Sequence, residues 1–334
     1  MAPLIIAHAE DPDGILARAL LMRQFPAGQK HVFVRYDRIA EAFDEAVTKA
    51  GGCSSVYVAD VNPNPRLVQA GGSDFTLLEK LAAGREVYWF DHHGATLQHK
   101  DKLAELGIKV YHQENQCAAL IIHKHYQRSD LYETRLAKIA QAHDYKNNHS
   151  DHENIKIGEQ LEKIISLANE KLNYNLLLDL SLDLQKEKCF DTEFALRPKW
   201  QYYINQFTRR EQAAYRELDN TVEITNVGNH KVLFGYSSPL LSQKNGPDHL
   251  CKKYLDRADI FVCLFKSPVR NHIVSAPGKK FSVVPFVKNL DGGGDEHRNS
   301  GGFTLDYDVT SANYAAVKGV IVSELEKYLH SNSA

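Results

Sequence analysis

The segment Val87-Tyr88-Trp89-Phe90-Asp91-His92-His93-Gly94 ends an apolar run in one carboxylate and two imidazoles. Four apolar residues in a row suit a buried strand, and Gly94 releases the chain after it. An acid and two imidazoles at a strand's end offer oxygen and nitrogen donors to a divalent metal. A polar turn that happens to contain histidines is the competing reading of this stretch alone. Asp60 closes a second apolar run, Ser55 to Ala59, and His8 closes a third, Leu4-Ile5-Ile6-Ala7. Asp11 and Asp13 follow His8 within a few residues, and Asp144 ends a helical pattern at Ala142-His143-Asp144-Tyr145. Asp60 by itself reads as a loop or helix cap. Three strand ends that all carry metal-competent side chains make coincidence hard to sustain.

Elements that would hold these residues follow in chain order. An apolar helix runs from the Asp13-Gly14 step through Ile15, Ala19, Leu20 and Met22. His31 to Tyr36 reads as a strand, and Ile39 to Ala50 as a helix closed by Gly51-Gly52. Ser73 is predicted to cap a helix through Leu77, Leu78 and Leu81, and another helix lies near Leu97 to Leu106, before a strand at Ile108 to Tyr111. Strands alternating with helices predict a parallel, doubly wound sheet, whose ligands gather at the carboxyl ends of its strands. Asn115 to Asp144 has a helical pattern, as do the charged stretches Ile155 to Lys188 and Trp200 to Leu218. A second composition begins near Val222, with strands at Val232 to Tyr236, Ile260 to Phe265 and His272 to Ala276, and helices at Asp248 to Asp256 and Phe281 to Leu290. The expected class is α/β: a doubly wound parallel-sheet domain over 1–150, a helical connector over 151–220, and a smaller α/β domain over 221–330.

Near the end of the chain stands Asp291-Gly292-Gly293-Gly294-Asp295-Glu296-His297-Arg298, followed by Asn299-Ser300-Gly301-Gly302-Phe303. Glycines let backbone amides approach an anion or a base without Cβ interference, and Arg298 and His297 bring charge to the same loop. A hairpin loop with no ligand is the alternative.

Composition narrows the classes. A formal net charge of −2 gives no global basic field for long nucleic acid, so any polyanion site must be local. No long apolar run predicts a membrane span, and the start lacks a basic n-region. Five cysteines, odd in number and without a Cys-x-x-Cys, read as reduced thiols of a cytoplasmic protein.

Together, His8, Asp11, Asp13, Asp60, Asp91-His92-His93, Asp144 and the terminal glycine loop resemble the DHH phosphoesterase family. The resemblance is to its branch with the DHH-associated C-terminal domain, which includes oligoribonucleases and single-strand exonucleases, and it covers nearly the whole chain. It implies two divalent cations, usually Mn²⁺, in a cleft facing the C-terminal domain. By resemblance, His8 and Asp11 bind one ion, Asp13, His92 and Asp144 the other, and Asp60 bridges them. His93 sits nearer the substrate phosphate, Asp91 orients the pair, and Gly292, Gly293, Gly294, His297 and Arg298 grip substrate. Two departures stand out. The step from His8 to Asp11 is three where the family usually leaves two or four positions, which makes Glu10 a rival ligand, and Asp295-Glu296 adds negative charge before His297.

Two cations about 3.5–4 Å apart neutralise a phosphodiester and activate a shared water for in-line attack, so no serine or cysteine nucleophile is required. The resulting expectation is a two-metal phosphodiesterase that cuts short linear oligonucleotides or dinucleotides to mononucleotides. Short substrates are favoured because no extended basic stripe with interleaved aromatics is visible. The alternatives are a phosphatase on a nucleoside bisphosphate or similar small ester, and a non-catalytic nucleotide-binding module with a degenerate site. Oligomeric state is not legible in the sequence.

Overall fold

Strands β1 (Leu4–His8), β2 (Lys30–Val34), β3 (Ser55–Ala59), β4 (Glu86–Asp91) and β5 (Ile108–His112) form one sheet in the computed structural model of the chain. Their order is β2-β1-β3-β4-β5 and every pairing is parallel. The described residues exclude 1, 27, 72–73, 147–149, 238–240, 242–244, 266–270, 277–281, 289–292, 296–299, 304–308 and 332–334, and at 272 and 293–295 only the backbone is described. Side chains along each strand alternate with a period of two. Leu4, Ile6, Val56, Val58, Val87 and Trp89 enter one core, while Ile5, Ala7, Tyr57, Ala59 and Phe90 enter the other. A sheet apolar on both faces needs helices on both, which is the doubly wound α/β class expected from the sequence.

Helices α2 (Ile39–Lys49), α3 (Pro65–Val68), α4 (Thr76–Ala82) and α6 (Lys100–Glu105) cover the first face. The second face takes α1 (Pro12–Gln24), α7 (Ala118–Tyr126), α8 (Leu131–Asp144), α9 (His152–Glu170) and α10 (Tyr174–Gln185). Short α5 (Gly94–Gln98) follows β4 directly. Three expected helices are each two. The pattern over 115–144 breaks at Gln127, left-handed with φ 49°, and α8 restarts at Asp130, whose carboxylate accepts from the amides of Tyr132 and Glu133. The stretch 97–106 divides at His99 between α5 and α6. The stretch 155–188 divides before Asn173, which caps α10 by accepting from the Leu176 amide. At Asp130 and Asn173 a side-chain cap begins the next helix, whose apolar stripe continues the one before the turn, whereas no side chain caps the division at His99.

One ion-pair cluster sets the direction of α8. Arg23 in the last turn of α1 donates to Asp130 at 2.6 Å and to the buried Glu133 at 2.8 Å. Tying the end of α1 to the start of α8 runs the two helices antiparallel. The far end of α8, with Asp144, therefore returns to the beginning of α1.

Helix α11 (Pro198–Asn220) carries the chain from one compact unit, 1–207, into a second, 208–334. The second unit holds β6 (Glu223–Val227), β7 (His230–Ser237), β8 (Ile260–Phe265), β9 (Asn271–Ser275), β10 (Gly293–Asp295) and β11 (Ser300–Phe303). They form a mixed sheet of order β10-β11-β9-β8-β7-β6, parallel at β7–β8 and antiparallel elsewhere. Helix α12 (Asn245–Tyr254) and the end of α11 pack on one face, α13 (Val284–Lys288) and α14 (Tyr314–Ser331) on the other. Of the helix expected over 281–290, 284–288 are helical as α13 and 282–283 are not, because Pro285 sits in its first turn and cannot extend a hydrogen-bonded helix backwards; 281 and 289–290 lie outside the described residues. Part of the glycine run is strand: Gly293, Gly294 and Asp295 pair with Gly302, Gly301 and Ser300. Gly292, His297 and Arg298 lie outside the described residues, as does the Ser73 cap.

All five cysteines are free, four of them buried. Among the described residues no helix is long and apolar enough to cross a membrane.

Candidate metal centre

The order of the first sheet reverses between β1 and β3, whose crossovers leave in opposite directions and open a crevice at their carboxyl ends. His8 is the last residue of β1. Asp60 follows β3 in the left-handed region, φ 57°, a conformation Asp adopts more readily than most residues, and its amide donates to the Phe90 carbonyl at 2.9 Å. Asp91 ends β4, with His92 and His93 next. Asp11 caps α1, accepting from the Gly14 amide at 3.0 Å. Only glycine fits at 14, since a Cβ there would lie 2.3 Å from the His8 carbonyl oxygen. Asp144 ends α8, where the helix dipole disfavours a carboxylate, so helix stability does not account for it.

Asp60 stands at the middle of the group. Its Oδ2 lies 3.3 Å from His8 Nδ1, and its Oδ1 lies 3.4 Å from His92 Nε2 and 3.9 Å from His93 Nδ1. Asp11 Oδ2 is 3.0 Å from the same His8 nitrogen. On the other side, His92 Nε2 is 3.6 Å from Asp144 Oδ2 and 4.0 Å from Asp13 Oδ2. His8, Asp11 and Asp60 thus form one donor set, and Asp13, His92 and Asp144 another, each within 4.8 Å. Donors bound side by side to one ion at about 2.1 Å lie about 3 Å apart, so these spacings need only small adjustments to close on a cation. Both sets could hold a metal, and the mixed nitrogen and oxygen donors suit a borderline transition ion.

Other contacts hold these side chains in place. Asp91, 0 % exposed, accepts from His93 Nδ1 at 2.7 Å and from the Thr96 hydroxyl. This leaves His93 Nε2 directed away from Asp91. His92 Nδ1 meets the Tyr145 hydroxyl at 3.0 Å, which itself donates to the Glu114 carbonyl. Asp13 accepts the amides of Ala118 and Ala119 at 2.7 and 2.9 Å, so it also caps α7. Glu10 lies 3.4 Å from His8 Nε2, on the side away from Asp11 and Asp60, and accepts the Tyr36 amide. It therefore orients His8 and stands apart from the donor set. Tyr145, Thr96 and Tyr36, whose ring centroid is 4.7 Å from that of His8, carried no assignment from the sequence. Only Tyr145 had a signal, its place directly after Asp144.

Like charge is crowded here. Burial, then Asp60 and Asp144, pushes the Asp13 carboxyl well above its usual range, and burial with Asp11 and Asp60 raises Asp144. Burial opposes charge on His92, yet the carboxylates of Asp60, Asp13 and Asp144 lift it to about 9. Burial likewise works against His8, which Asp11, Asp60 and Glu10 raise well above 6.5. Asp11 and Asp91 are lowered in spite of burial, by His8 and by His93. The arrangement compensates positive charge wherever it is placed, which is what a divalent cation supplies.

No family model and no curated protein sequence matches this chain. Solved structures do. The pGpG-specific phosphodiesterase PggH from Vibrio cholerae aligns over 98% of this chain and 99% of its own, with TM-score 0.51 and 11% identity. The exonuclease RecJ bound to manganese aligns over 96% of this chain and 89% of its own, with TM-score 0.56 and 15% identity. At these identities the likeness is one of fold.

Proposed function

We propose that the chain is a metal-dependent phosphodiesterase of the DHH type, hydrolysing short linear oligonucleotides or dinucleotides to mononucleotides. The observation that carries this reading is Asp60, with one carboxylate oxygen turned to His8 and the other to His92. His8 and Asp11 would hold one divalent cation, Asp13, His92 and Asp144 a second, and Asp60 both, with Mn²⁺ suited to the donors. Two such cations would neutralise the phosphodiester and stabilise the attacking and leaving oxygens together. Asp91, itself accepting from Thr96, holds His93 so that Nε2 can exchange a proton with, or donate to, a phosphate oxygen. Substrate binding by Gly292, Gly293, Gly294, His297 and Arg298 rests on the sequence resemblance. The fold shared with a dinucleotide-specific phosphodiesterase and with an exonuclease supports the substrate class.

The test is a panel of 5′-labelled dinucleotides, pGpG among them, and longer oligonucleotides, incubated with Mn²⁺-loaded full-length protein. Mononucleotides should appear from dinucleotides faster than from long strands, and a chelator should stop both. Faster release of inorganic phosphate from a nucleoside bisphosphate would favour the phosphatase reading. Trace metal only, with no cleavage, would leave a binding module.

A further inference from the structure

Away from the metal centre, a cavity of about 580 Å³ runs along β2, the edge strand of the first sheet. Arg18 of α1 lines it, 0 % exposed, and none of its three guanidinium nitrogens has a hydrogen-bond partner among the described residues. The guanidinium lies over the Phe33 ring, 3.9 Å from its centroid, and the Tyr174 ring of α10 also stacks on Phe33, with centroids 5.9 Å apart. His31 shares the strand face with Phe33, and its Nδ1 is also buried without a partner. Basic side chains outnumber acidic ones around the cavity: Arg18, Lys30, Arg35, Arg38 and Lys49 against Glu41 and Glu45. Arg35 is paired with Asp37, and Lys49 with Glu45. Among the described residues Arg18 has no such counter-ion.

A guanidinium shut away from water without an anion is unfavourable, and it carries five donors in a fork that matches an oxyanion. Burial alone pulls its pKa down to about 9, and burial together with Arg18 and Lys49 takes His31 down to about 3. Both shifts mark a place short of negative charge. The volume falls within the range of small-molecule sites, well above the space one phosphate fills. Beside the cationic floor stands an aromatic wall.

We propose that this cavity binds a small phosphate monoester, its phosphate on Arg18 and its organic body against Tyr174, at a site separate from the metal centre. Full-length protein treated with chelator gives the cleanest test, because the metal-free carboxylate cluster repels anions. Calorimetric titrations would use AMP, GMP and inorganic phosphate, with thermal unfolding in parallel. Saturable binding of a nucleotide, with a rise in unfolding midpoint of about 2–4 °C, is expected. Arg18→Met should weaken that binding by roughly tenfold or more, as loss of a charge-assisted contact does, without lowering the midpoint of the ligand-free protein. Arg38→Ala, at the exposed rim, should weaken it severalfold and serves where Arg18→Met fails to fold. Basal turnover should be unchanged in both variants. No saturable binding up to about 10 mM, the weak end of specific affinity, would overturn the site, as would wild-type affinity in both variants. Inorganic phosphate binding as tightly as the nucleotides would overturn the part assigned to Tyr174.

Discussion

His92 and His31 carry the same imidazole in the same unit, and burial pushes both toward the neutral form. Their pKa values nevertheless part in opposite directions, to about 9 beside Asp60, Asp13 and Asp144, and to about 3 where Arg18 and Lys49 add to burial. Sign of the surrounding charge therefore matters more here than depth. At the carboxyl ends of β1, β3 and β4 the protein gathers more negative charge than its own imidazoles balance. Along β2 the Arg18 guanidinium has no partner among the described residues. One sheet thus carries a cluster rich in carboxylates at its carboxyl ends and a cluster rich in bases along its β2 edge.

The largest expected effect comes from removing the acid that faces both donor sets. Asp60→Ala should lower turnover by more than the ~10⁴-fold at the upper end of what losing one proton-transfer group typically costs. It should also lower bound metal while far-ultraviolet circular dichroism stays native. Near-normal turnover in this variant would show that Asp60 does not join the two sets. His93→Ala should cost about 10²-fold in kcat with metal content intact, whereas His92→Ala should reduce both. Equal metal loss in the two variants would contradict the separate positions of their nitrogens. Asp91→Asn keeps the shape but weakens the hold on His93 Nδ1, for an expected loss of about 10–100-fold. The smallest effect belongs to the basic cavity and reads as stability. His31 has a folded-state pKa below its ordinary 6.5, so its contribution is full above pH 6.5 and is lost as pH falls from there toward about 3. Urea midpoints of chelated wild type should therefore decline more steeply between those limits than midpoints of His31→Gln. Parallel curves would mean that His31 is as readily protonated folded as unfolded.

Much of the first sheet was legible because its strands are short apolar runs punctuated by single polar residues. Ser55 to Ala59 begins and ends as read, and the strand at Leu4 extends one residue to include His8. Helix breaks were harder to see. The apolar stripe through Ile122 and Leu136 continues across residues 127–130, and only the Asp130 cap marks the restart. In the second unit β10 and β11 were missed because Gly293, Gly294, Gly301 and Gly302 carry no side-chain pattern to show a period of two. Strand β6 and helix α14 were also unread. The residues brought together at the centre are legible in the sequence, since strand ends and helix ends expose their chemistry there. Their partners are not. Tyr145 on His92 and Ala118 on Asp13 are tertiary contacts, and the only local hint of either is the place of Tyr145 directly after Asp144. Arg18 was invisible for a related reason: one cation in an apolar helix usually reaches water along its stem, and nothing local tells that this one does not.

Asp13 does more than face His92, since its two oxygens also hold the amides that begin α7, 105 residues further along the chain. Contacts that distant wait for long loops to close during folding, after local helices have formed. His8, Asp11 and Asp13 are neighbours in sequence, but they become a complete donor set only once β3, β4 and α8 have docked around them. A cation would therefore find its full site in the finished fold alone, and could not guide the chain toward it. Bound Mn²⁺ should then slow unfolding while leaving the refolding rate unchanged, because its contacts are absent from the transition state. Stopped-flow refolding that quickened with added Mn²⁺ would instead place this cluster of acids in the folding nucleus.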